Sequence, residues 1–516
     1  MDNVLLIKLD TQRSGTTGVP LGPLYLADAL EKAHFNVKIM HSLEFRNVKA
    51  IFNSAIETIK EINPIFVGFS VMTGMQTEYS AKLSRIIKKS FPNISIVWGG
   101  VHPTIATEEC LKEDYIDIII RSEGEKTIVE LAKAIKERKY LGEILGISYK
   151  DGSKIIHNDN RPLMENEELD NYTPAWHLIN FGKKGYFNEQ YAQDMYGLKK
   201  IAQYYSSRGC PYKCKFCFNV SQNTTRWRAH SAEKVIKDIE LLRRKYGIDG
   251  VIFHDDNFFI NKKRTFEILQ KIGIPYFAEV RNDMITEEIG KLLSETRCMR
   301  LHIGAESGSD KTLEMINKKF DVDTIIKSTE ILAKYKIPVN YSFVVGFPGE
   351  TWQMIKKTFL LIEKLANIYN NNYFLFNPKP GVYVPYPGNP MWEKSIDYGF
   401  VPPSKMEDWS KLNRYESQYD FPWINTRMLQ DIINFNFDRK TYLKIRHRKL
   451  TLRIVYKLFF VFLTIPTAIK YIFFPFDVVS IYRIFKFVKK IGLFVDQKVI
   501  RLKEADEFQK TEEDID

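Results

Sequence analysis

Cys210, Cys214 and Cys217 fall in the run Gly209-Cys-Pro-Tyr-Lys-Cys-Lys-Phe-Cys217. Three thiolates this close in one loop can wrap a corner of a cubane iron-sulfur cluster, yet a 4Fe-4S cluster ordinarily takes four protein ligands. The fourth iron would stay open to a small chelating molecule. A structural zinc site fits poorly, because it wants four Cys or His ligands, usually as two close pairs. No second pair exists: the chain has 5 cysteines, and Cys110 and Cys298 stand alone. A disulfide framework fits less well still, given the odd cysteine count and Asp2 and Asn3 after Met1, where a secretory leader would be basic. The expectation is a single cluster in a reducing, cytoplasmic compartment, with Cys110 and Cys298 as small buried hydrophobes.

With Phe216 just before the last cysteine, the loop resembles the signature of the radical S-adenosylmethionine (SAM) family. The resemblance implies that Cys210, Cys214 and Cys217 ligate one 4Fe-4S cluster and that SAM chelates the open iron. Reductive cleavage would then release a 5'-deoxyadenosyl radical, fed by a reducing protein such as a flavodoxin or ferredoxin. Two leftover cysteines are too few for the auxiliary clusters of the methylthiotransferases.

These residues need a scaffold. A chain of 516 residues, 44% hydrophobic and 27% charged, has room for two or three domains with full cores. Residues 1–150 alternate apolar runs (4–9, 37–40, 65–69, 94–98, 116–120) with amphipathic stretches (24–33, 77–89, 126–136), the rhythm of a doubly wound, Rossmann-like parallel sheet. Ligands of such sheets sit outside the carboxyl ends of the strands, so the loops at 15–23, 70–74, 99–104 and 121–125 matter most. Pro20-Leu-Gly-Pro-Leu-Tyr-Leu-Ala27, Val67-Gly-Phe-Ser-Val-Met-Thr73, Trp98-Gly-Gly-Val-His-Pro-Thr104 and Arg121-Ser-Glu-Gly-Glu125 together resemble the cobalamin-binding domain that precedes the radical-SAM barrel in one subclass. That resemblance implies cobalamin contacts from Ser70, Thr73, Gly99, Gly100, His102, Thr104, Glu123 and Gly124. No Asp-x-His-x-x-Gly run is present, so His102 is not expected to be an axial cobalt ligand. A degenerate domain that serves only as a scaffold is the alternative.

Residues 151–195 read as a hairpin and linker. Across 196–400, strands at 203–207, 250–255, 275–280, 299–305 and 339–345 alternate with helices, the pattern of a partial (β/α)6 barrel with chemistry at the strands' carboxyl ends. His254-Asp-Asp-Asn-Phe258, Arg281-Asn-Asp283, Gly304-Ala-Glu-Ser-Gly308 and Gly346-Phe-Pro-Gly-Glu350 stand at those ends and resemble radical-SAM segments. SAM carries an ammonium, a carboxylate, a ribose diol and an adenine. Asp256, Arg281, Glu306 and Ser307 supply the complementary groups, with Phe216 and the turn of Gly346, Pro348 and Gly349 against the adenine. Pro378 to Pro390 reads as an extended, turn-rich closure of the barrel mouth.

Residues 401–516 are expected to be mainly helical. The net charge of +12 concentrates late, between 439 and 490, around an apolar run at 454–476. Lys457, Pro466 and Lys470 interrupt that run, so it suits a membrane interface through 450–490, or a helical cap, better than a span. Its phenylalanines are not interleaved with basic residues as nucleic-acid binders require, so nucleic acid is not an expected partner. The acidic tail after 505 reads as disordered. The sequence thus points to a cobalamin-dependent radical-SAM enzyme methylating an unactivated carbon of a small, lipid-like or secondary-metabolite substrate. A cyclase or oxidative rearrangement with the same cofactors is the alternative, and a nucleic-acid-modifying protein the alternative from another class.

Overall fold

Val4 to Ile7 are all buried, and a strand apolar on both sides belongs inside a covered parallel sheet. This strand, β1 (Asn3–Lys8), lies between β2 (Asn36–His41) and β3 (Phe66–Ser70), followed outward by β4 (Ser95–Gly99) and β5 (Ile118–Ile120), all parallel. The order 2-1-3-4-5 is the flavodoxin-like form of the doubly wound sheet. The computed structural model describes residues 2–10, 18–45, 47–180, 196–219, 225–372, 374–412, 421–426, 429–430 and 433. The basic apolar stretch, the acidic tail, residues 181–195 and most of 401–516 lie outside them.

Two features of the first sheet go beyond the sequence reading. A crossover helix, Val48–Ile62, links β2 to β3, capped by Asn47, whose side chain accepts from Ala50 N at 2.9 Å. Parallel neighbours demand such a crossover. A hairpin forms, but its first strand lies before the 151–195 segment expected to hold it: β6 (Ile147–Asp151) and β7 (Lys154–His157) extend the sheet antiparallel from β5.

The second sheet begins at β8 (Ile201–Tyr204). A two-residue ladder of β9 (Ser207–Arg208) and β10 (Arg228–Ala229) flanks the cysteine loop. The helix Ala232–Tyr246 follows, capped by Ser231 and closed by Gly247 at φ +68°. Strands β11 (Gly250–Phe253), β12 (Tyr276–Val280), β13 (Cys298–Glu306), β14 (Val339–Val345) and β15 (Phe376–Val382) then add in sequence order, all parallel. Among the described residues no ladder joins β8 to β15, so the six-strand barrel is open. The sixth strand takes in Pro378 and Pro380, which the sequence had assigned to the closing turn. Edge strands tolerate proline, because alternate residues turn their N–H sites to the unpaired side.

Past the barrel, Met406–Lys411 returns to the first domain. Trp409 meets the His102 ring edge-on at 4.9 Å, and Arg85 pairs with Glu407 at 2.8 Å. Trp392, Phe400, Met406 and Trp409 share one buried cluster with Leu5, Val67 and Trp98. Residues 1–430 therefore form one unit.

Candidate active site

Adjacent carboxylates, Asp255 and Asp256, divide the work at the carboxyl end of β11. Asp255 is fully buried and accepts from Ser206 N at 2.7 Å and from Ser207 Oγ at 2.8 Å, which pins the chain as it leaves β8. Asp256 accepts from Gly209 N at 3.0 Å and opens onto two cavities. Burial, reinforced by the negative charge of Asp255, pushes its carboxyl above the ordinary range.

Cys210, Cys214 and Cys217 line one cavity of about 410 Å³ with Phe216, Arg281, Glu306 and Lys318. They do not converge on a single point, as a mononuclear metal would need, among the described residues. Three thiols lining one cavity suit a cluster instead. Burial pushes the Cys217 thiol up to about 12 and raises Cys210 as well, so neither ionises readily unless iron takes the charge. The donor set fits a cluster held by these three residues.

Arg281 lines the cavity and also braces the cysteine loop. Its guanidinium meets Asp283 at 3.0 and 2.9 Å and the Lys318 carbonyl at 2.7 Å, stacks 3.5 Å from the Tyr212 ring centroid, and brings Nη1 to 3.7 Å from Cys214 Sγ. The cation beside Glu306 is Lys318, which sequence reasoning missed; its Nζ lies 2.8 Å from Glu306 Oε1. Glu306 sits at φ +63°, at the register shift where β13 leaves β14. A Cβ on Gly304 would fall 2.4 Å from that carboxylate oxygen, so any larger residue there would have to push the Glu306 carboxylate aside.

Ser307 lies behind the cavity, fully buried, against Thr358 Oγ1 at 3.1 Å and accepting from Ser309 N at 3.1 Å. The Gly346 turn is held from inside by Glu350, whose Oε2 accepts from Gly346 N at 2.6 Å and Phe347 N at 3.2 Å. Phe216 meets this turn through the Phe347 ring at 5.7 Å, while Gly346, Pro348 and Gly349 are not among the cavity's lining residues.

A second cavity, of about 510 Å³, lies between the carboxyl ends of the two sheets. From the first domain come Gly22, Gly68, Ser70, Gly99, Gly100, Glu123 and Gly124; Tyr205, Arg208, Phe218, His254 and Glu279 face them. Several of these first-domain residues are glycines, which let backbone approach a ligand closely. Gly100 has φ +101°, and a Cβ on it would lie 2.9 Å from Val71 O. Tyr25, which also lines the cavity, has a buried hydroxyl with no hydrogen-bond partner among the described residues. A glycine-walled cradle with an orphaned donor suits a large cofactor with amide and phosphate edges, as cobalamin is.

Three expected contacts lie outside this lining. His102 is fully buried, with Nδ1 3.1 Å from Thr73 Oγ1, and burial lowers its pKa to about 3. Thr104 joins two loops instead, donating to Gly100 O at 2.7 Å and accepting from Ser122 N at 3.0 Å.

Residues 7–132 match the B12 binding domain, and residues 204–362 match the Radical SAM superfamily. A protein described as an uncharacterized methyltransferase in Pyrococcus horikoshii is 33% identical over 390 residues, which cover 74% of this chain and 79% of that protein. The chain belongs to the cobalamin-binding radical SAM enzymes. Another relative of this radical SAM chain is the anaerobic magnesium-protoporphyrin IX monomethyl ester cyclase of Rubrivivax gelatinosus, 25% identical over 75% of this chain and 71% of that one. The fold is also that of OxsB, a cobalamin-dependent SAM radical enzyme solved with aqua-cobalamin and SAM bound. Its TM-score is 0.65 at 17% identity, covering 89% of this chain and 70% of that one. The cofactors of this radical SAM enzyme are a 4Fe-4S cluster, SAM and cobalamin. No helix among the described residues is long and apolar enough to cross a membrane.

Proposed function

We propose that this enzyme transfers a methyl group to an unactivated carbon of a small molecule bound where the two cavities meet. The observation that carries the reading is their shared wall: Phe218, Asp256 and Glu279 line both. When bound, the cluster with SAM supplies a carbon-centred radical and cobalamin supplies the transferable methyl group. The chain's own work is positional. Cys210, Cys214 and Cys217 would hold the cluster, with the Arg281 guanidinium beside Cys214. Glu306 and Lys318 would face the polar end of SAM, Phe216 its adenine, and Ser70, Gly99, Gly100, Glu123 and Gly124 the cobalamin.

The shared wall also bears on the substrate. Asp256 and Glu279 stand beside the Phe218 ring, an arrangement for a molecule with both an apolar face and a hydrogen-bond-donating group. It favours a functionalised metabolite over a bare isoprenoid chain. The lipid-like alternative rests on the apolar stretch beyond the described residues.

The test supplies reconstituted enzyme, a flavodoxin-type reductant and methyl-deuterated SAM to a small-molecule extract of the source cells. Methyl transfer expects a product carrying three deuterons, formed alongside 5'-deoxyadenosine. Deoxyadenosine with an unlabelled, oxidised or cyclised product would overturn it in favour of the cyclase reading, which the Rubrivivax relative supports.

A further inference from the structure

Arg208 stands two residues before Cys210, yet its side chain belongs to the other domain. Nη1 meets Glu123 Oε1 at 3.1 Å and Nη2 meets Glu125 Oε1 at 2.6 Å, while the guanidinium lies 5.2 Å from the Tyr25 ring centroid. Glu123 and Glu125 flank Gly124 at the start of the helix Glu125–Glu137, and all three line the cobalamin cavity. On the main-chain side, Arg208 continues into Gly209, held by Asp256, and then into the cluster loop. One planar fork thus grips two carboxylates of the cobalamin loop from the base of the cysteine loop. Such a fork transmits position as well as charge, because both carboxylates must stay in its plane.

We infer that Arg208 is a positioning residue that couples cobalamin binding in the cavity between the two sheets to SAM binding in the cavity lined by the three cysteines. A ligand that orders the loop at 123–125 orders Arg208, and with it the thiols of the cluster loop. Coupling of this kind is reciprocal, so each ligand changes the affinity of the other by the same factor. The inference rests on the cofactor assignment and not on methyl transfer. Glu123 keeps Arg228 at 2.7 Å and Met164 N at 2.9 Å when Arg208 is lost, whereas Glu125 would be left buried without its guanidinium. The double variant Arg208→Gln/Glu125→Gln removes that stranded charge.

The experiment titrates SAM into cluster-reconstituted, unreduced enzyme with and without saturating hydroxocobalamin, and then hydroxocobalamin with and without SAM. The wild type is expected to show the same factor of about fivefold or more in both directions. In Arg208→Gln and in the double variant the factor should fall to within about twofold of unity, with iron content and cobalamin stoichiometry measured alongside. Arg208→Lys, which can meet only one carboxylate, should fall between. Absent coupling in the wild type, or coupling that survives in the variants, overturns the inference. So does loss of either cofactor from both variants, which would mark Arg208 as merely structural.

Discussion

Lys318 Nζ lies 2.8 Å from Glu306 Oε1, with side-chain exposures of 7% and 8%. Removing one partner of a buried ion pair leaves the other charge uncompensated, which costs about 3–5 kcal/mol, whereas neutralising both is far milder. Lys318→Met should therefore lower stability by about that amount in urea unfolding. Lys318→Met/Glu306→Gln should recover most of it. If both residues face SAM as proposed, the double variant should still bind SAM at least tenfold more weakly; unchanged affinity would make the pair a purely structural contact.

The cysteines divide cleanly. Cys210→Ala, Cys214→Ala or Cys217→Ala should each abolish the iron and sulfide retained after anaerobic reconstitution. Cys110, fully buried beneath the first sheet, and Cys298, at the opposite end of β13 from Glu306, should not. Cys110→Ala or Cys298→Ala should keep full iron content and lose about 1 kcal/mol of stability.

Glu350 makes stability depend on pH. Burial raises its carboxyl to about 7, against hydrogen bonds from Gly346, Thr312 and Phe347 that favour the charged form. The folded state therefore binds the proton more tightly than the unfolded chain, where the pKa is about 4.3. This group's contribution is fully present below the unfolded value, fades as pH rises toward 7, and is absent above. The total is about 4 kcal/mol. Urea unfolding at pH 5, 6, 7 and 8 should show that decline, and Glu350→Gln should flatten it. An identical slope in the variant would assign the effect elsewhere, with Asp256 the next candidate.

His102 sits against Trp409, outside the cavity lining. His102→Gln should leave the visible spectrum and stoichiometry of bound hydroxocobalamin unchanged while lowering stability by about 1–2 kcal/mol through lost packing. A shifted corrinoid spectrum would mean that the imidazole reaches the cobalt.

Legibility in the sequence followed the range of the forces involved. The helix from Ala232 to Tyr246 could be read to the residue, because Ser231 and Gly247 are local caps whose geometry needs nothing beyond the helix itself. The helix Val48–Ile62 has an equally local cap in Asn47 and was missed, although parallel strands on either side required a crossover. The sixth barrel strand was hidden by Pro378 and Pro380, since only its place at the sheet edge makes those prolines acceptable.

By itself the sequence determined that three thiols share one loop and that strands alternate with helices through the parallel strands of two sheets. Both follow from spacing along the chain. Which polar side chains serve the site was decided only by the tertiary structure. Of two neighbouring aspartates, Asp255 became an anchor and Asp256 a cavity wall. Arg281 was drawn to the cysteine loop, and Lys318 took the place beside Glu306. Arg208 found carboxylates 83 and 85 residues away in another domain. Partners so distant in sequence leave no periodicity to read, because a charged group settles wherever folding brings an opposite charge within reach and away from water.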